Sequence, residues 1–152
     1  MTIEAKLNEL GITVPEASKP VASYVPAVKT GNLIFVSGQL PVVAGHLKYK
    51  GMLGRDMDTS AGYEAAKICA INCLAAIKTV EPDLNKIVKI VKVTGFVNSV
   101  QDSGDQPKVV NGASELLEKI FGEKGKHARA AIGMSGLPLG ALVEVEMIVE
   151  VE

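Results

Sequence analysis

The chain closes on ALVEVEMIVEVE, and the alternation in that stretch limits the fold more than any other feature. Side chains of an extended strand point to opposite faces in turn. Val143, Val145, Met147, Val149 and Val151 therefore share one face, and Leu142, Glu144, Glu146, Ile148, Glu150 and Glu152 share the other. One face packs on a core. The other is polar but not purely so, because Leu142 and Ile148 lie among its glutamates.

The rest of the chain supplies what such a strand needs. MTIEAKLNELGI reads as a short amphipathic helix ending at Gly11. SYVPAVKTGNLIFVSGQLP carries two β-like runs around the turn residues Thr30, Gly31 and Asn32. The second run is apolar on both faces, which predicts an interior strand. LPVVAGHLKYKGMLGRDM reads as a loop with room for one short strand. From Thr59 an alanine-rich helix begins with a cap-type residue and stops before Pro82; its few polar positions predict that most of its circumference is covered. IVKIVKVTGFVNS is a long β-branched strand, with Gly95 a candidate bulge. A second helix spans residues 106–121, with Asp105 as its expected cap and Pro107 in its first turn. HARAAIG is a further strand.

Strand runs separated by single helices make an α+β fold: a two-layer sandwich of a mixed β-sheet with two main helices on one face and a short N-terminal helix. At 152 residues the expectation is a single domain, 1–152, in which 1–19 form a helical extension.

Composition narrows the function. Sixteen Lys and Arg against 17 Asp and Glu, with 4% aromatic residues, leave no basic footprint for nucleic acid. No charged segment leads into an apolar one near the start, and apolar runs fall short of the roughly 18 to 20 residues that span a bilayer. The expected location is cytoplasmic. Cys69 and Cys73 sit four apart on a helix, a spacing suited to reduced, buried thiols. His46 and His127 have no ligand spacing, so no metal site is expected.

Arg129 stands out, a permanent cation in an alanine-lined strand. Alternation puts Ala128, Ala130 and Ile132 on one face and His127, Arg129, Ala131 and Gly133 on the other. If the first set faces the core, Arg129 projects from the face away from the helices, as Glu144 does. A sheet face mixing Arg, Glu, Ala, Leu and Ile suits burial against another subunit, and a guanidinium there offers a rigid donor fork for a carboxylate. A structural ion pair with Glu144 or Glu146 is the competing reading. Taken alone, Tyr24, Ser37, Gly38 and Asn111 carry no chemical signature.

SYVPAVKTGNLIFVSGQLP and HARAAIGMSGLPLGALVEVEMIVEV together resemble the two hallmark blocks of the Rid (reactive intermediate deaminase) family, also called YjgF or L-PSP endoribonuclease-like. The similarity runs from about Pro20 to Glu152. That resemblance implies a chorismate-mutase-like fold assembled as a homotrimer, with ligand clefts between subunits. It implies hydrolysis of 2-imino or enamine acids to 2-keto acids and ammonia, with no metal or organic cofactor. The strand arginine that binds the substrate carboxylate falls on Arg129 and the final-strand glutamate on Glu144. The remaining substrate-binding positions fall on Tyr24, Ser37, Gly38 and Asn111. Two positions depart from the family's pattern, Pro26 and Ala131, and the N-terminal helix and the 42–60 segment are longer than in short members, which marks a divergent subgroup. The alternatives are a non-catalytic trimer that binds or senses small carboxylates, and, from the family's other name, an endoribonuclease or translation inhibitor.

Overall fold

The computed structural model describes residues 1–20 and 22–152. Helix α1 (Ile3–Glu9) starts at Thr2, whose Oγ1 accepts from the Ala5 N–H, and is followed by Gly11 in a left-handed backbone, φ 70°. It is tied to the body by Asn85, which accepts from the Ile3 N–H at 2.8 Å and donates to Glu4 at 2.7 Å, while Leu7 is buried beneath it.

Strands β1 (Ala27–Thr30) and β2 (Leu33–Gln39) form the expected hairpin, turning at Gly31 with φ 60°. A separate two-stranded ribbon follows, β3 (Val42–Val43) with β4 (His46–Leu47), where the sequence suggested at most one strand. Helix α2 (Thr59–Ile77), strand β5 (Ile87–Asn98), helix α3 (Gln106–Phe121), strand β6 (Ala128–Met134) and strand β7 (Val143–Val151) complete the chain. The main sheet runs β1-β2-β7-β5-β6, so β2 is interior as its apolar composition predicted. β5 and β6 are parallel and every other pair is antiparallel, which makes the sheet mixed.

The alternation of β7 holds along the whole strand: Val143, Val145, Met147, Val149 and Val151 are all buried under the helices. Leu142 is an exception to the sequence reading. It precedes the strand, its N–H donates to the Tyr49 carbonyl, and it is fully buried rather than on the open face.

α2 packs on β7 through alanines and two cysteines. The thiols of Cys69 and Cys73 donate to the carbonyls of Val143 and Val145, at 3.6 and 3.4 Å, and burial pushes both well above the ordinary thiol range. Asp58 caps α2, accepting from the Ala61 N–H at 2.9 Å. Asp105 occupies the cap position of α3 without a capping bond; its carboxylate pairs with Lys108 instead, at 3.4 Å.

Gly95 is not a bulge. The register of β5 against β7 slips earlier, between Ile87 and Lys89 and between Ile90 and Lys92, while Gly95 stays paired with Val145 and Ala131. Its lack of a side chain admits Val110 of α3, just as Gly112 lets α3 approach the Tyr63 carbonyl of α2.

The face assignment of β6 is the opposite of the sequence reading. Arg129, Ala131 and Gly133 register with Val93, Gly95 and Val97, whose face is covered by helices. Arg129 therefore points to the helix side, and Ala128, Ala130 and Ile132 lie on the open face, with Ile132 42% exposed. Alanine carries too little apolar weight for its position to reveal which face is buried, and here the pairing with β5 decides it.

Candidate functional site

Two groups of polar side chains follow from this arrangement, on opposite faces of the sheet. The first lies where edge strand β6 meets α3. Arg129 Nη1 donates to Asn111 Oδ1 at 2.7 Å and to Ser114 Oγ at 3.3 Å. Ser114 Oγ is 2.8 Å from His127 Nε2, and His127 Nδ1 is 2.7 Å from the Gly125 carbonyl. Asn111 and Ser114 are one helical turn apart on α3, and His127 and Arg129 are two residues apart on the strand side, so periodicity puts all four together.

Neither Glu144 nor Glu146 pairs with Arg129. Among the described residues the guanidinium makes no ion pair, and its Nε and Nη2 have no hydrogen-bond partner. A half-buried guanidinium with one satisfied nitrogen and one open edge presents two parallel N–H groups, the geometry that matches a carboxylate.

The second group surrounds a cavity of about 590 Å³ at the β2–β7 end of the sheet. Tyr24, Pro26, Gly38, Asn72, Leu139 and Glu144 all line it. Glu144 is half-buried directly beside Gly38. Burial first, and then the nearby Glu146 charge, raise its carboxyl above the ordinary range. Tyr24 is 51% exposed at the rim. Ser37 is close by in sequence but occupied: its hydroxyl donates to the Val25 carbonyl at 2.6 Å and its N–H to the Pro26 carbonyl at 2.9 Å, which pins the Tyr24–Pro26 segment to β2. Leu139 at the mouth holds a left-handed backbone, φ 60°, uncommon for a non-glycine residue. Asn72 fastens the wall, donating to the carbonyls of Leu40 and Val42 at 2.9 and 3.0 Å.

The six residues singled out in the sequence thus fall into two sets. Arg129 and Asn111 touch each other; Gly38 and Glu144 adjoin each other, with Tyr24 and Ser37 next to them; neither set reaches the other within one protomer. Ser114 and His127 escaped the sequence reading, although their spacing relative to Asn111 and Arg129 would have found them once Arg129 was put on the helix side. Among the described residues no three His, Cys, Asp or Glu side chains gather as a metal site, and no helix is long and apolar enough to cross a membrane.

A family model described as "YjgF/chorismate_mutase-like, putative endoribonuclease" matches residues 4–151. The chain belongs to the YjgF family. Among YjgF relatives, it is 40% identical to Protein TCP17 of Trypanosoma cruzi, covering 97% of this chain and 93% of that one. It is 28% identical to a protein of Dermatophagoides farinae named 2-iminobutanoate/2-iminopropanoate deaminase, covering 93% and 95%. Among solved structures, the Agrobacterium tumefaciens protein Atu1372, whose function is described as unknown, superposes with a TM-score of 0.92 at 46% identity, covering 99% of this chain and 94% of that one. The YjgF match takes in nearly all of α1 as well as the sheet, so the N-terminal extension is part of the family's matched region here.

Proposed function

We propose that the protein hydrolyses 2-imino acids and their enamine tautomers to 2-keto acids and ammonia, in clefts formed where subunits of a homotrimer meet. The observation that carries this reading is the open Nε–Nη2 edge of Arg129, a fixed and uncompensated carboxylate fork. The name of the Dermatophagoides relative supports the same chemistry. Arg129 and Glu144 lie on opposite faces of one sheet, so a single ligand meets both only when Glu144 comes from a neighbouring protomer. The open sheet face supplies apolar surface for such a neighbour: Val28, Phe35, Ile132 and Met134 are all substantially exposed.

In this mechanism the substrate carboxylate seats on Arg129, which orients the C=N carbon. Water adds to that carbon: Glu144 as carboxylate takes the water proton and passes it to nitrogen, giving a carbinolamine. Glu144 then moves the carbinolamine hydroxyl proton to the same nitrogen, the C–N bond breaks, and ammonia leaves behind the ketone. Atoms balance with water as the only co-reactant. Burial, and then the Glu146 charge, raise this carboxyl above its ordinary value, which strengthens it as the base that takes the water proton. Tyr24 and the backbone at Gly38 contact the substrate's far side.

The assay is release of 2-ketobutyrate from 2-iminobutanoate generated in situ, against the spontaneous rate. Arg129→Ala should lose the acceleration. If the wild-type protein and Arg129→Ala leave the spontaneous rate equally unchanged, catalysis is excluded. Ser37 favours a second reading, a carboxylate-binding trimer without turnover, since its hydroxyl is already spent on Val25 and Pro26 offers no N–H. Calorimetric binding of 2-ketobutyrate without turnover selects that second reading.

A further inference from the structure

We propose that Ser114 and His127 are positioning residues, which set the orientation in which the Arg129 guanidinium meets a carboxylate. The proposal rests on the reading of Arg129 given above. A carbonyl oxygen can only accept, so the 2.7 Å contact between His127 Nδ1 and the Gly125 oxygen puts a hydrogen on Nδ1. In the neutral ring Nε2 is then an acceptor, and Ser114, 2.8 Å away, donates its hydroxyl hydrogen to it. With its hydrogen committed to the ring, the Ser114 oxygen turns its lone pairs to Arg129 Nη1 at 3.3 Å, while Asn111 Oδ1 accepts the second Nη1 hydrogen at 2.7 Å.

Hydrogen bonding therefore runs in one direction from Arg129 through Ser114 and His127 to a backbone carbonyl. Gly125, which provides that carbonyl, is buried and so closely packed that a side chain there would collide with the Leu117 backbone. Both Nη1 hydrogens are held. Because the guanidinium is planar, holding them fixes the plane of the unpartnered Nε–Nη2 edge. Without the relay, Nη1 keeps Asn111 alone and the plane is free to swing about that one bond.

The test uses the full-length protein and 2-ketobutyrate as probe, with Ser114→Ala, Ser114→Thr, His127→Phe, His127→Gln and Arg129→Ala. Nitrogen-detected NMR of Arg129 should give separate Nη1 and Nη2 signals in the wild type and a single averaged signal in Ser114→Ala and His127→Phe. In those two variants the Kd for 2-ketobutyrate and the KM should both rise about tenfold, the scale of one lost hydrogen bond to a charged group, with kcat within twofold. Ser114→Thr restores the hydroxyl, and His127→Gln offers Ser114 an amide oxygen; both should recover the split signals and most of the affinity. Separate signals and wild-type Kd in Ser114→Ala and His127→Phe overturn the proposal. So does a collapse of kcat at unchanged KM, which would give Ser114 a chemical role instead. Arg129→Ala distinguishes the two levels: if it binds 2-ketobutyrate as tightly as wild type, the reading of Arg129 fails, whereas the NMR signature still reports whether the relay holds the guanidinium.

Discussion

Gly38 lies against Glu144 so closely that a methyl group on it would sit 2.9 Å from the glutamate's carboxyl carbon and 2.9 Å from Oε2. The glycine of the Ser37–Gly38 pair therefore clears the space that the carboxyl occupies.

Gly38→Ala tests that role. The obstructing atoms are the end of a flexible side chain and Gly38 is not in the left-handed region, so the fold accommodates the methyl by moving the carboxyl. Melting temperature should stay within a few degrees of wild type, with kcat down about 100-fold, the usual cost of misplacing a reacting group by an ångström or so. An unchanged kcat would show that Glu144's position is immaterial.

Glu144→Gln separates charge from shape. Burial raises the folded-state pKa of Glu144 above its unfolded value, so the protonated form favours folding and the ionised form opposes it. That opposition appears as pH rises through the folded pKa and is absent below the unfolded one. The glutamine variant should melt higher than wild type at pH 8, with the gap closing toward about pH 4. The proposed deaminase activity should be lost at every pH. Paired thermal melts across that range read the sign directly.

Mixed assembly tests the proposed homotrimer and the proposed division of its site between protomers. Arg129→Ala and Glu144→Gln, each inactive alone, should complement each other when denatured and refolded together. In a random mixture about a quarter of clefts receive an intact arginine from one subunit and an intact glutamate from its neighbour, so activity should return to about a quarter of wild type. No recovery in a mixture shown by mass to contain hybrid trimers would mean that both residues act from one chain.

Gly112→Ala concerns stability alone. Its new methyl would run into the Tyr63 carbonyl of α2, a rigid backbone group, so the two helices must separate. The expected cost is about 3 kcal/mol, read as a fall of roughly 10 °C in melting temperature. A change under about 2 °C would show that the helix spacing is adjustable.

Strong periodicity made most of the fold legible. β7 announced its buried face with five large apolar residues, and α3 its limits, because Pro107 and the spacing from Val109 to Phe121 admit no other register. β6 did not, since alanine at 128, 130 and 131 suits either face; only pairing with Val93 and Gly95 oriented Arg129. Gly95 looked like a bulge because a strand glycine has several uses, and the one in force, admitting Val110, depends on a helix remote in sequence. As candidates, the six residues were legible in the sequence only through family resemblance. Their separation into two groups was not, because it depends on which sheet face each strand presents.

The two thiols under β7 also make the protein its own clock. Cys69 and Cys73 hold the carbonyls on either side of Glu144 and are wholly buried, so a thiol reagent reaches them only when α2 lifts from the sheet. Their labelling rate counts those openings without any engineered probe. A ligand that seats against Glu144 will then register as a slower count in the unmodified chain.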